Sequence, residues 1–178
     1  IPTKALLKNA DILDVVKYAN KFGIEVGEVT FNWGKIIKRS RDVAKRLSKG
    51  VEFLMKKNKI DYIPSRGKLL GKGEVEISDS NGNKSLASAN NIIIATGARP
   101  KWFSKIKPDG KQIITYKEAM ILDKQPKSLV IIGAGAIGVE FAHFYQTFGT
   151  EVTLIEALPN ILPTEDSEIS IELEKIFK

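Results

Sequence analysis

The six residues Gly133-Ala134-Gly135-Ala136-Ile137-Gly138 set three glycines in a GxGxxG spacing. Glycines so placed suit one chemistry, the close approach of backbone to a pyrophosphate. Gly133 permits a tight turn, Gly135 lets the chain come up against phosphates, and Gly138 lets a following helix pack close to the preceding strand. The free N–H groups at that helix start then face the anion. The spacing alone is common, but here its surroundings support it. The apolar run Leu129–Ile132 precedes it, and a helical pattern from Val139 to Phe148 follows. A second strand, "EVTLI", then ends in Glu156, 18 residues after Gly138. This is the strand–turn–helix–strand–acid order of a dinucleotide site. A carboxylate at that place accepts hydrogen bonds from an adenosine ribose and repels a 2′-phosphate. The adjoining "EALPN" carries no basic residue, so the expected nucleotide is NAD rather than NADP.

Other chemistry-bearing residues have plainer readings. His143, the single histidine, falls on the helix after the glycines and reads as a packing or surface residue. In "LPTEDSEIS" the residues Thr164, Glu165 and Asp166 read as a helix start, with Thr164 as its cap and the acids at the positive end of the dipole. With no cysteine and one histidine, the sequence has no disulfide framework and no set of zinc ligands.

The elements that must carry the glycine turn are legible in outline. Helical patterns run over about residues 2–22 and 32–58, separated by the loop "GIEVGEVTF". In the first, Pro2 suits the opening helical position, and Leu6, Ala10, Leu13 and Val16 recur at helical spacing. Lys4 sits in its first turn, at the end of the helix dipole that disfavours a cation. The second pattern aligns Ile36, Val43, Leu47, Val51 and Leu54, with Ser40 as the one gap. Its many lysines and arginines fall mostly between these positions, as on an amphipathic helix with a solvated basic face. "DYIPSRGKLLGKGEVEIS" reads as short strands, "DSNGNK" as a tight hairpin turn, and "SLASANNIIIATG" as a returning strand. The unbroken apolar run Ile92–Ala95 predicts a strand covered on both faces. Residues 98–128, with Pro100, Pro108 and Pro126, are irregular apart from a helical turn in "TYKEAMIL".

The composition is that of a globular protein, with 178 residues, 43% hydrophobic and 28% charged. No apolar run approaches the roughly 18 residues of a membrane span. The net charge of +7 raises the question of nucleic acid. The basic helix lacks the interleaved aromatic residues that stack on bases, so neither a nucleic acid nor a membrane is an expected partner.

Three separated segments, "IPTKALL", "IIIATGARP" and "GAGAIGVE…VTLIE", have an order and spacing that resemble the two-dinucleotide-binding flavoprotein disulfide reductases, most closely the branch that acts on dihydrolipoamide. The resemblance spans essentially the whole chain. It implies an α/β fold in two parts. Residues 1–98 would be the rear of an FAD-binding three-layer Rossmann-like domain, 99–117 a linker, and 118–178 the front of an NAD-binding Rossmann-like domain. On the FAD side it implies Lys4 near the flavin, a backbone contact from Gly67 to the adenosine, and Thr96, Gly97 and Ala98 at the "ATG" corner. On the NAD side it implies Gly133, Ala134, Gly135, Ala136, Ile137, Gly138, Val139, Glu140 and Glu156. Lys4 and Glu140 are expected to pair within about 4 Å. Thr3 stands where the family often has serine.

The resemblance further implies an internal piece of a protein two to three times longer, which fits a first residue other than Met. A redox cysteine pair is expected before Ile1 and a His-Glu base after Lys178. No catalytic residue and no metal is expected within the piece itself. The whole enzyme would pass electrons from dihydrolipoamide through the disulfide and FAD to NAD+. It would be a homodimer serving the lipoyl domains of 2-oxo acid dehydrogenase complexes, in bacterial cytoplasm or the mitochondrial matrix. A soluble pyridine nucleotide transhydrogenase of the same superfamily and a non-catalytic nucleotide-binding module are the alternatives. Glutathione- and mercuric-reductase relatives use NADPH, against which Glu156 argues.

Overall fold

The computed structural model describes residues 2–177. They form two compact units: the described residues up to Leu47 together with those from Trp102 onward, and Ser48–Lys101. The expected cysteine pair and His-Glu base lie outside the described residues.

The first unit is built on two helices. Helix α1 spans Pro2–Lys17 and buries Ala5, Leu6, Ala10 and Leu13. This is the face given by the spacing of its apolar residues, and Val16 adds a half-buried end. A 3-10 turn, Ala19–Phe22, closes on Gly23. Helix α2, Trp33–Lys57, begins in this unit and buries Trp33 and Ser40. The single polar break in its apolar row is thus its deepest small residue, and Ser40 satisfies its hydroxyl by donating to the Ile37 carbonyl at 2.7 Å. The remainder of that row corrects the expectation of a covered face. Leu47, Val51 and Leu54 are each more than 40% exposed.

The short helix α3, Tyr116–Ala119, is fixed by a capping box between Thr115 and Glu118. Strand β4 (Ser128–Ile132), helix α4 (Ala136–Thr147) and strand β5 (Glu151–Ile155) follow. β4 and β5 pair in parallel, with Ser128 opposite Glu151 and Ile132 opposite Ile155. Helix α5, Ser167–Phe177, ends the described chain. It begins later than the expected Thr164 cap. Asp166 takes that role, accepting the Glu168 N–H at 2.9 Å.

The main core joins Leu6, Ala10 and Leu13 of α1, Trp33, Ala119, and Phe141, Phe144, Tyr145 and Phe148 of and beside α4. The aromatic residues stand at i, i+3, i+4 and i+7, one stripe of a helix. Polar groups reaching this core find partners. Trp33 Nε1 donates to the Leu122 carbonyl at 2.8 Å, and the Tyr145 hydroxyl to the Ala119 carbonyl at 2.6 Å.

The second unit, beyond the later part of α2, is an antiparallel meander of β1 (Arg66–Gly71), β2 (Glu74–Ser78) and β3 (Lys84–Ser88), in that order. The expected hairpin turn lies between β2 and β3. There Asp79 accepts the N–H groups of Asn81 and Asn83 at 2.8 and 2.9 Å and the Asn83 side chain at 2.9 Å. These donors, the Asn83 side chain first, hold the Asp79 carboxyl below its ordinary value.

The strand expected over Ile92–Ala95 does not form. A β-strand needs a neighbour to take its N–H and C=O groups, and none among the described residues pairs with it. Ile93 is 90% and Ile94 69% exposed.

Candidate functional site

The glycine turn joins β4 to α4 in the first unit. Gly133 has φ 104, a conformation that residues with a side chain seldom take. It continues the parallel pairing, donating its N–H to the Ile155 carbonyl at 2.7 Å. At Gly138 a Cβ would fall far inside van der Waals contact distance of the Gly133 carbonyl oxygen, with Ile131 Cγ2 close behind. Gly138 therefore lets α4 lie against β4, as its place in the motif requires. Gly135 meets nothing within 4 Å at the same position, and its φ of −71 suits any residue. The chain itself sets no steric limit on a side chain there.

Exposure divides the expected NAD residues into three sets. Ala134, Gly138 and Val139 are buried, and Ala134 and Val139 form a small second core with Ile161. Gly135, Ala136 and Ile137 are exposed, and Gly133, Glu140 and Glu156 are half-buried. The start of α4 has no side-chain cap and no acidic residue in its first turn. Its leading N–H groups are thus aimed, without a side-chain acceptor, from the exposed part of the turn. That is an electropositive cradle suited to phosphate.

Glu156 closes the opposite side. Its Oε2 accepts the Ala134 N–H at 2.7 Å, and its Oε1 accepts those of Ala157 and Leu158 at 2.8 and 3.0 Å. The Leu158 N–H first, then that of Ala134, holds this carboxyl below the ordinary glutamate value. Glu156 is therefore anionic through the neutral range.

Lys4 and Glu140 meet. Nζ lies 2.7 Å from Glu140 Oε1, with the lysine side chain 75% and the carboxylate 26% exposed. The cation at the disfavoured end of α1 is thereby answered by an acid on α4, and the 4 Å expectation is met. At the far end of the two helices Lys17 Nζ donates to the Thr147 carbonyl at 2.6 Å, and Thr147 Oγ1 donates to Asp14 at 3.4 Å. α1 and α4 therefore run in the same direction, tied at both ends, with the aromatic core between. The spacing of α1 suggested none of these far-end ties. A lysine in the last turn, where a helix favours cations, was the available signal.

The expected FAD residues other than Lys4 lie in the second unit. Gly67 is in β1 opposite Ile77, and Thr96, Gly97 and Ala98 form exposed, irregular chain with Gly97 at φ 79. His143 is half-buried on α4. Among the described residues no cluster of three or more His, Cys, Asp or Glu is arranged to hold a metal. No helix among them is long and apolar enough to cross a membrane. Leu162, which sequence reasoning passed over, also touches the site. It has φ 47 and donates its N–H to the Ala134 carbonyl at 2.7 Å.

The chain is 43% identical over 178 residues to a dihydrolipoyl dehydrogenase of Chlorobaculum parvum, covering all of the chain and 38% of that relative. It is 45% identical over 185 residues to one from Rhizobium etli, covering 96% of the chain and 38% of the relative. The chain thus spans under two fifths of the length of these relatives. Among solved structures it resembles LpdA of Mycobacterium tuberculosis, with a TM-score of 0.89 and 24% identity over 99% of this chain and 39% of that one. That likeness supports the α/β Rossmann-like fold. The family described as pyridine nucleotide-disulphide oxidoreductase matches residues 1–178, and the chain belongs to it.

Proposed function

We propose that this chain is the nucleotide-handling middle of a dihydrolipoyl dehydrogenase, with residues 1–98 contributing to an FAD domain, 99–117 linking, and 118–178 contributing to an NAD domain. The observation that carries the NAD assignment is the β4–turn–α4–β5 unit, with its uncapped helix start on one side and an anionic Glu156 on the other. Gly133, Gly135, Ala136, Ile137 and Gly138 would shape the pyrophosphate cradle, and Glu156 would face the ribose. Ala134 and Val139 serve it from beneath, as buried packing.

Lys4, Gly67, Thr96, Gly97 and Ala98 would hold FAD, a reading supported by the identity to the named relatives. When bound, FAD supplies two-electron transfer between a dithiol and a nicotinamide. Lys4 would supply positive charge where the flavin gains electron density, and its contact with Glu140 fixes where that ammonium sits. The disulfide and the base would come from the remainder of the protein. Its partners would then be a second copy of itself and the lipoyl domains of 2-oxo acid dehydrogenase complexes. Bacterial cytoplasm or the mitochondrial matrix would be its compartment.

The test uses the full-length protein. Bound-flavin absorbance together with dihydrolipoamide-dependent reduction of NAD+, and little with NADP+, is the expected result. Hydride exchange between NADH and NADP+ without any dithiol requirement would make it a transhydrogenase. Absence of both flavin and NADH oxidation would leave a nucleotide-binding module without turnover.

A further inference from the structure

The glycine turn is held by chain that lies outside it. Ala134, at its centre, is fully buried. Its N–H goes to Glu156 Oε2 at 2.7 Å and its carbonyl takes the Leu162 N–H at 2.7 Å. The second oxygen of Glu156 is occupied by the Ala157 and Leu158 N–H groups. Leu162 is in turn anchored. Its carbonyl accepts the hydroxyl of Ser170 at 3.1 Å and the Glu165 N–H at 2.9 Å, and Ser170 is buried at the start of α5. Leu162 adopts a left-handed backbone that non-glycine residues seldom take. Such a conformation persists where its surroundings over-determine it.

A carboxylate that only awaited a ribose would have no need of three N–H donors from its own chain. We propose that Glu156 and the loop from 156 to 162 form a clamp that sets the phosphate-facing turn before any nucleotide arrives. Glu156 is then a positioning residue for the turn as well as the ribose-facing acid. The ligand in this inference rests on the nucleotide reading above, and the clamp itself does not. One consequence concerns specificity. Replacing Glu156 to admit NADP would also loosen the cradle both nucleotides use, so the gain for NADPH from removing the charge would be offset while NADH would lose on both counts. Glutamine keeps the size but offers one acceptor oxygen and an NH2 that cannot accept, so E156Q must give up one side of the clamp.

The test is amide hydrogen exchange read by mass spectrometry on full-length protein without nucleotide, paired with equilibrium binding of NADH and NADPH. In the unsubstituted protein, the amides of Gly133 and Ala134, read in peptides spanning 133–138, are expected to be protected before nucleotide is added. In E156Q they should exchange about tenfold faster, the effect of losing a charge-assisted hydrogen bond. Peptides of α1 should be unchanged, NADH should bind more weakly, and NADPH should gain no affinity from the loss of charge. Equal protection of the turn in the two proteins, with NADH weakened and NADPH strengthened, would overturn the clamp and leave the nucleotide reading standing. Faster exchange of the turn in E156Q, with no NADH binding even before substitution, would support the clamp and sink the nucleotide reading. Should E156Q speed exchange everywhere, the unsubstituted protein decides. A turn already protected without nucleotide supports the clamp, and one protected only when NADH is bound overturns it.

Discussion

At the scale of single residues, the glycines of one motif do different work, and the structure separates them. Gly138 is required by the chain itself, since any Cβ there would collide with the Gly133 carbonyl. Gly135 is not required by the chain, since its position is open, and under the proposed function its smallness would admit a pyrophosphate. Gly138→Ala is therefore expected to cost about 3 kcal/mol of stability, as overpacking against backbone does. Gly135→Ala should change stability by less than about 0.5 kcal/mol, yet abolish nucleotide binding by blocking the pyrophosphate. Urea unfolding and NADH titration of the two full-length variants check this. Equal loss of stability in both would contradict the separation. The Lys4–Glu140 pair is a different case. Its lysine is mostly solvated, and exposed pairs contribute only about 0.2–1 kcal/mol, so its value lies in placing charge rather than in holding the fold.

At the scale of elements, α4 is the organising piece. One face packs its aromatic stripe on α1 and Trp33, and its start closes the glycine turn. Its last turn has no basic residue of its own. Lys17 of α1 supplies the missing cation by donating to Thr147, which suits the negative end of the helix dipole. Tyr145 binds α4 to the end of α3 through the Ala119 carbonyl. Burial raises the Tyr145 hydroxyl above the ordinary tyrosine value of 10.0. A group whose folded value is raised stabilises the fold fully below its unfolded value, and that contribution is lost as pH climbs past it. Stability should thus be flat with respect to this group below about pH 10 and fall above it. Tyr145→Phe should remove that alkaline fall while lowering stability at neutral pH by about 1 kcal/mol, because the Ala119 carbonyl loses its donor. Denaturant unfolding at several pH values reads both effects. An alkaline fall of unchanged size in the variant would show that another group causes it.

At the scale of the whole chain, each unit leaves apolar surface open. On the β4–β5 pair the residues pointing away from α4 include Val130, Ile132 and Ile155, each at least 48% exposed. In the other unit Ile92, Ile93 and Ile94 are exposed without strand partners. Contiguous apolar surface and unpaired backbone favour association. The 178-residue chain produced alone is expected to self-associate and to bind a hydrophobic dye strongly. Sedimentation velocity and dye fluorescence measure this. A monodisperse monomer with little dye binding and reversible, cooperative unfolding would count against it.

The sequence by itself determined the elements whose cause is local. α1 and α4 follow from apolar spacing, the β2–β3 turn from Asp79 and its neighbours, and the glycine turn from residues 133–138. These depend on side chains within a few positions of one another, so their pattern survives in one dimension. Tertiary structure decided what depends on distant partners. Ile92–Ala95 has the composition of a covered strand, but strand formation needs a neighbour that composition does not specify. Thr164 and Asp166 both suit a helix cap, and the bonds of Leu162 to Ala134 on one side and to Ser170 on the other accompany a start at Ser167. The same dependence governs Glu156. Its spacing marks a ribose acid, but only the return of β5 alongside β4 brings its carboxylate to the Ala134 N–H, 22 positions away in sequence.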